Sequence, residues 1–259
     1  MEKLEKGKYI IFLDIDGTIY DNGIIPEKTV KALARAKSEG HKIFINSGRM
    51  PCIMPDTVLE SIKPDGIVGG MGTVVRIGDE EISCARMDSE EVEYLIRFGE
   101  EHGYFVIVEN ADKLVIMNGT AIETQNSFIA STDEYLERYA DLTVSKIAFM
   151  NPVPKEDAEI LSRGRKIYNH TGYAEIPAEG YNKATAIEQV CRYYGADTAY
   201  TIAMGDSIND EDMLRFAGIG VAMGNSSEYV KSISDYVTTS CLEGGVADAL
   251  DALIFAKEK

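Results

Sequence analysis

No run of apolar residues in this sequence approaches the roughly 18 that a membrane-spanning helix needs. The opening M-E-K-L-E-K-G-K is charged and has no apolar signal core behind it. The four cysteines, Cys52, Cys84, Cys191 and Cys241, are scattered and form no C-x-x-C pair. That spacing fits neither a zinc site nor a disulfide framework, and it points to a reducing compartment. Basic residues are scarce, 26 against 43 acidic ones, so the formal charge is −17 and the averaged field repels nucleic acid and anionic membranes. Internal repeats and low-complexity segments are missing. The expectation is a cytoplasmic protein that binds neither nucleic acid nor membrane. Most of its carboxylates serve solubility, and only clustered ones need a sharper explanation.

What is present is an ordinary globular composition, 45% hydrophobic and 27% charged, over 259 residues. That length suits one large domain or two small ones. Tyr9 to Leu13 is a short continuous apolar run, the signature of a parallel strand buried on both faces, and acidic residues follow at once. Pro26 to Glu39 reads as a helix stopped by Gly40, and Lys42 to Asn46 as the next strand. The same alternation returns late. Lys183 to Tyr194 has helical spacing and Gly195 as its stop, and Tyr200 to Met204 is the following strand. A helix near Asn209 to Phe216, strands at Ile219 to Met223 and Tyr236 to Thr238, and a helix from Val246 to Phe255 complete the pattern. Such alternation predicts an α/β fold, a Rossmann-like doubly wound parallel sheet that binds ligands beyond the carboxyl ends of its strands.

The middle of the chain has another texture. Helices at Glu90 to Glu101 and Asp133 to Tyr139 mix with strands at Tyr104 to Glu109, Leu114 to Asn118 and Ser145 to Met150, and a further helix and strand precede Ala178. This reads as an inserted α+β domain over 82–179, interrupting a core of 1–81 and 180–259, with Gly78-Asp79 and Ala178-Glu179-Gly180 as the crossings.

Three core strands end in polar clusters: D-I-D-G-T at Asp14 to Thr18, N-S-G-R at Asn46 to Arg49, and G-D-S-I-N-D at Gly205 to Asp210. Alone, D-x-D-G-T also reads as an Asp-rich turn, and N-S-G-R as a plain loop. Together they supply what phosphoryl transfer needs: a nucleophile, an acid for the leaving oxygen, a cation for the phosphate and donors for its other oxygens. Asp14 can attack phosphorus and form an acyl phosphate, and Asp16 can act as general acid and then base. Asp14, Asp16 and Asp206 suit Mg2+, which takes about six oxygen ligands and keeps several waters. Asn209 and Asp210 stand where they either hold metal-bound water or cap a helix. Ser47 and Gly48 offer a hydroxyl and a close backbone approach to an anion. Lys183 opens a helix, against the dipole, where a bound anion would account for it.

The ordered set D-I-D-G-T, N-S-G-R, G-Y-N-K and G-D-S-I-N-D-E-D-M resembles the haloacid dehalogenase superfamily of phosphatases, and the insert between the second and third motifs resembles its Cof-type, or IIB, branch. The resemblance covers essentially the whole chain. It implies Asp14 as nucleophile and metal ligand, and Asp16 as acid/base that ligates through its backbone carbonyl. It further implies Ser47, Gly48, Lys183 and Asn209 at the phosphate, Asp206 and Asp210 at the metal, and a mobile cap selecting a small phosphorylated metabolite, sugar phosphates foremost. One departure is M-G-T at Met71 to Thr73 where relatives often read N-G-A. Arg49 matches the family's T-G-R element and has two candidate partners, substrate or a structural carboxylate. Asn118, Glu123, His170 and Tyr173 are polar groups near cap strand ends or turns, more ordinary as surface residues than as contacts. Two other functions share the aspartyl phosphate: a phosphomutase or phosphotransferase, and a receiver-type signalling domain. The large insert and the motif order oppose the second.

Overall fold

A computed structural model describes residues 3–118, 127–162, 166–170 and 172–256. The first stretch of the chain runs through β1 (Ile10–Leu13), α1 (Glu27–Ser38), β2 (Lys42–Asn46), α2 (Asp56–Ile62), β3 (Gly66–Gly69), β4 (Val74–Ile77) and β5 (Glu80–Cys84). The middle adds α3 (Ser89–His102), β6 (Val106–Glu109), β7 (Leu114–Met117), β8 (Ser127–Ile129), α4 (Thr132–Tyr139), β9 (Lys146–Phe149), α5 (Lys155–Ser162), β10 (Tyr168–Asn169) and β11 (Ala174–Pro177). The chain then returns through α6 (Lys183–Tyr194), β12 (Thr201–Gly205), α7 (Glu211–Phe216), β13 (Ile219–Ala222), α8 (Glu228–Ser232), β14 (Tyr236–Val237) and α9 (Gly245–Leu250), which a π-helical stretch at Asp251–Phe255 extends.

The larger sheet has the order β14-β13-β12-β1-β2-β3-β4-β5 and is parallel from β14 to β3. Strands buried on both faces explain the continuous apolar runs. Ile11 and Leu13 pack with α1, α2 and α9 on one side, while Ile10 and Phe12 meet α6 and α7 on the other. The chain leaves β1 toward β2 in one direction and later returns to β12 on the other side, so β1 and β12 flank the switch point where doubly wound sheets bind ligands.

Gly78-Asp79, expected as a crossing, is instead the turn of an antiparallel hairpin between β4 and β5, which carries the larger sheet to Cys84. β5 is an edge strand with no buried residue, so it lacks the apolar run that marks the inner strands. The smaller sheet has the order β10-β11-β9-β6-β7-β8 and is antiparallel apart from β7 with β8. Its Val106, Val108, Val115, Ile147 and Phe149 pack under α3, α4 and α5, and its other face, bare of α-helices among the described residues, carries Ile107, Leu114, Ile116 and Ala148. That second face looks onto the carboxyl end of the larger sheet. Among the described residues, no helix is long and apolar enough to cross a membrane.

Candidate active site

β1 and β12 are hydrogen-bonded neighbours, and the Asp14 amide continues their ladder by donating to the Met204 carbonyl at 3.0 Å. Asp14 and Asp206 therefore leave adjacent strand ends, and they gather with Asp210 so that one carboxylate oxygen of each lies within 4.8 Å of the others. Gly17, at φ +77°, makes this possible: a Cβ there would fall on the Asp206 carboxylate. Asn225, from the loop after β13, donates to the Gly17 carbonyl at 2.9 Å and to Asp206 Oδ2 at 3.3 Å, fastening the two loops together.

Lys183 is fully buried beneath this cluster, its Nζ 2.8 Å from Asp14 Oδ1 and 2.6 Å from Asp210 Oδ1. Asn182 caps α6 by accepting from the Ala184 and Thr185 amides, and Asn46 of β2 donates to the Lys183 carbonyl at 3.0 Å. These contacts fix a lysine at a helix start. Burial alone would lower its ammonium, but Asp14 and Asp210 overcome that and hold it above its ordinary range. Carboxylates of the protein itself thus account for a charge that opposes the helix dipole.

Of the two roles its position allowed, the contacts of Asp210 show the cap. Its Oδ2 accepts from the Asp206 and Ser207 amides at 3.0 Å each, tying down the loop, while Oδ1 meets Lys183. Asn209 is nearly buried and accepts from the Ser207 hydroxyl at 2.6 Å. Ser47 is buried at the end of β2, its Oγ accepting from the Arg49 amide at 3.2 Å.

The Asp16 side chain stands apart from the three-carboxylate cluster. Arg49 forks onto it, Nε to Oδ2 at 2.7 Å and a terminal nitrogen to Oδ1 at 2.8 Å, so the partner of Arg49 is a carboxylate of the protein. Met71 sits at φ 62°, a region costly for an ordinary side chain and cheaper for Asn. It is buried, and its amide donates to the Ser47 carbonyl at 3.1 Å, so the departure from N-G-A is a packing change beneath the loop that follows β2.

A single lysine cannot balance three crowded acids. Burial, with the neighbouring carboxylates, pushes Asp14 up to about 7 and Asp206 up to about 8. Asp206 Oδ1 is buried with no hydrogen-bond partner among the described residues. An all-oxygen donor set with an unsatisfied carboxylate oxygen fits a hard divalent cation.

Above the cluster lies a cavity of about 630 Å³. Asp14, Asp16, Ser47, Gly48, Arg49, Asp206 and Asn209 form its floor, and the bare face of the smaller sheet forms its roof. Sequence reasoning missed the roof's polar centre. Lys146 on β9 faces Glu109 on β6 at 3.2 Å, pairs with Glu175 on β11, and donates to the Gly48 carbonyl at 2.7 Å. His170 adds a 3.0 Å contact to Glu175 and stacks on Tyr173. Three charges within short, otherwise apolar strands, V-I-V-E, K-I-A-F and A-E-I-P, were the available signal. Asn118 does not line the cavity; its side-chain amide donates to the Tyr104 carbonyl at 3.4 Å. Glu123 lies outside the described residues.

The chain is similar along nearly its whole length to proteins named as phosphatases. The chain is 30% identical over 266 residues to the 5-amino-6-(5-phospho-D-ribitylamino)uracil phosphatase YitU of Bacillus subtilis, covering 94% of this chain and 97% of that protein. It is 26% identical to a phosphoglycolate phosphatase of Methanothermobacter thermautotrophicus, covering 93% and 96%. The solved structure of the HAD subclass IIB sugar phosphatase BT4131 superposes with a TM-score of 0.84 at 26% identity, covering 95% of this chain and 98% of that one. The family model described as haloacid dehalogenase-like hydrolase matches residues 11–250, and the chain belongs to that family.

Proposed function

We propose that this chain is a magnesium-dependent phosphatase that hydrolyses small phosphomonoesters, sugar phosphates foremost, through a phosphorylated Asp14. Its kinship with named phosphatases over nearly its whole length makes it a phosphoric monoester hydrolase. The observation that carries the mechanism is the Asp14 carboxylate, held by Lys183 in the cluster with Asp206 and Asp210 at the floor of the roofed cavity.

In the first step Asp14 attacks phosphorus, the bond from phosphorus to the leaving oxygen breaks, and a protonated Asp16 gives its proton to that oxygen. In the second, water attacks phosphorus, Asp16 takes the proton, and the bond to Asp14 breaks to free phosphate. Arg49 occupies both oxygens of Asp16, so it must loosen its hold when Asp16 hands a proton to the leaving oxygen. Ser47, Gly48, Lys183 and Asn209 would hold the phosphate oxygens. Asp14, Asp206 and Asp210, with the backbone carbonyl of Asp16, would hold magnesium, which when bound would offset the negative charge of the phosphate and the acids around it. The smaller sheet with its helices would act as the cap, admitting leaving groups small enough to enclose.

The test is phosphate release from a panel of phosphorylated metabolites with and without magnesium. Free phosphate that appears only with the metal supports the reading. Isomerised sugar phosphate without free phosphate would assign a mutase instead.

A further inference from the structure

The cap half of the cavity has a charge arrangement that bears on which leaving group it takes. Lys146, Arg49 and the His170 imidazole line the cavity among the described residues, and each already meets a carboxylate. Lys146 donates to Glu175 and to the Gly48 carbonyl and lies 3.2 Å from Glu109, whose Oε2 is buried with no hydrogen-bond partner among the described residues. Arg49 spends its fork on both oxygens of Asp16. Lys183 lies below the floor, held by Asp14 and Asp210.

The acids, by contrast, keep capacity. A carboxylate accepts about four hydrogen bonds. Among the described residues Glu109 has one side-chain partner, Lys146, and Glu175 has two, Lys146 and His170. Both are buried at the cavity wall, where a low dielectric strengthens attraction to donors and repulsion of anions alike. Lys146 and His170 hold Glu175 down at about 2 against the effect of burial, so it stays ionised. Around these acids, Ile107, Leu114 and Ala148 of the same sheet face, with Ile53 from the larger domain, offer a carbon-lined wall.

Resting on the phosphatase reading, we infer that the Glu109–Lys146–Glu175 cluster selects the leaving group. It takes an uncharged, hydroxyl-bearing carbon skeleton whose O–H groups donate to Glu109 and Glu175, and it rejects one with a second anionic group. The same Lys146 ties the cap to Gly48 beside the phosphate, so the selecting acids are held at a fixed height above the reaction centre.

The test uses the full-length enzyme with magnesium at about pH 8, above the value of about 7 to which burial pushes Glu109, so that both acids are carboxylates; the substrates are a matched pair, sorbitol 6-phosphate and 6-phosphogluconate, which differ at the far end by a hydroxymethyl against a carboxylate. The expected kcat/KM is higher for sorbitol 6-phosphate by about ten-fold or more, the scale of an unrelieved like-charge contact. Glu175→Gln should shrink that ratio to about three-fold or less, chiefly through KM, and Glu109→Gln serves the same purpose where the first variant fails to fold. Equal values for the pair in the wild type, or a preference for 6-phosphogluconate, would overturn the inference. Turnover of p-nitrophenyl phosphate separates the two levels. If it proceeds while the ratio is flat or inverted, only the selection rule falls; if no phosphomonoester is turned over, the phosphatase reading and the rule fall together.

Discussion

Gly17→Ala is a small change with a large expected consequence, because the position is constrained twice. Its φ of +77° is a region that costs an L-residue about 1–2 kcal/mol. The added methyl would also overlap the Asp206 carboxylate, 2.7 Å from its Cγ where ordinary contact begins near 3.4 Å. The carboxylate must therefore retreat by about 0.7 Å or more. It cannot do so by moving its backbone freely, since its amide donates to Asp210 Oδ2. The side chain must turn away from Asp14 and Asp210. Loss of a ligand's orientation costs about 10- to 100-fold in metal affinity or activity. The assay is a magnesium titration of p-nitrophenyl phosphate hydrolysis by wild type and variant, with calorimetric magnesium binding and circular dichroism alongside. The variant should fold, and its half-saturating magnesium should rise by that factor. A folded variant with unchanged magnesium dependence and turnover would refute the claim that Asp206 must stand where Gly17 leaves room for it.

Lys183→Met removes the cation between two buried acids and should cost about 3–5 kcal/mol of unfolding free energy in metal-free buffer, read from urea midpoints. A loss below about 1 kcal/mol would show that Lys183 is not the counterion of the cluster. Glu109 is raised by burial, against the pull of Lys146, from the ordinary 4.5 to about 7. Between those values the unfolded chain has lost a proton that the folded one keeps. The contribution of Glu109 is therefore fully present below about 4.5 and falls by about 1.4 kcal/mol for each pH unit until it is lost above about 7. Glu109→Gln lacks this dependence, so urea midpoints at about pH 5 and about pH 8 should shift in favour of the variant at the higher pH; a constant gap would contradict the raised carboxyl.

Much of this architecture was legible because the physics that shapes it is local. β2 and α6 run from Lys42 to Asn46 and from Lys183 to Tyr194, as their apolar spacing and the Gly195 stop foretold. Asp14, Ser47 and Asp206 come together because each follows a strand of one parallel sheet, and strand ends can be read from the sequence. The burial of Lys183 could not be read that way. One lysine in a G-Y-N-K loop looks like a surface charge until β1 and α7 bring Asp14 and Asp210 to it, across 169 and 27 residues. Arg49 with Asp16 has the same character, a pairing over 33 residues with no periodic trace. Glu109, Lys146 and Glu175 lie on three cap strands whose register only the folded sheet reveals. The short α2, α8 and β8 went unread because five to seven residues, or three in a strand, carry too little periodicity to stand out from a loop.

The central claim is that phosphate passes through Asp14, and rapid quenching tests it most directly. Wild-type enzyme mixed with a phosphate-labelled substrate and magnesium, then quenched in acid within the first turnover, should carry a hydroxylamine-sensitive label that maps to Asp14. Folded Asp14→Asn should carry none and should lose turnover by orders of magnitude, because an amide cannot form the acyl phosphate. A label on another residue, or near-normal turnover by folded Asp14→Asn, would contradict the account.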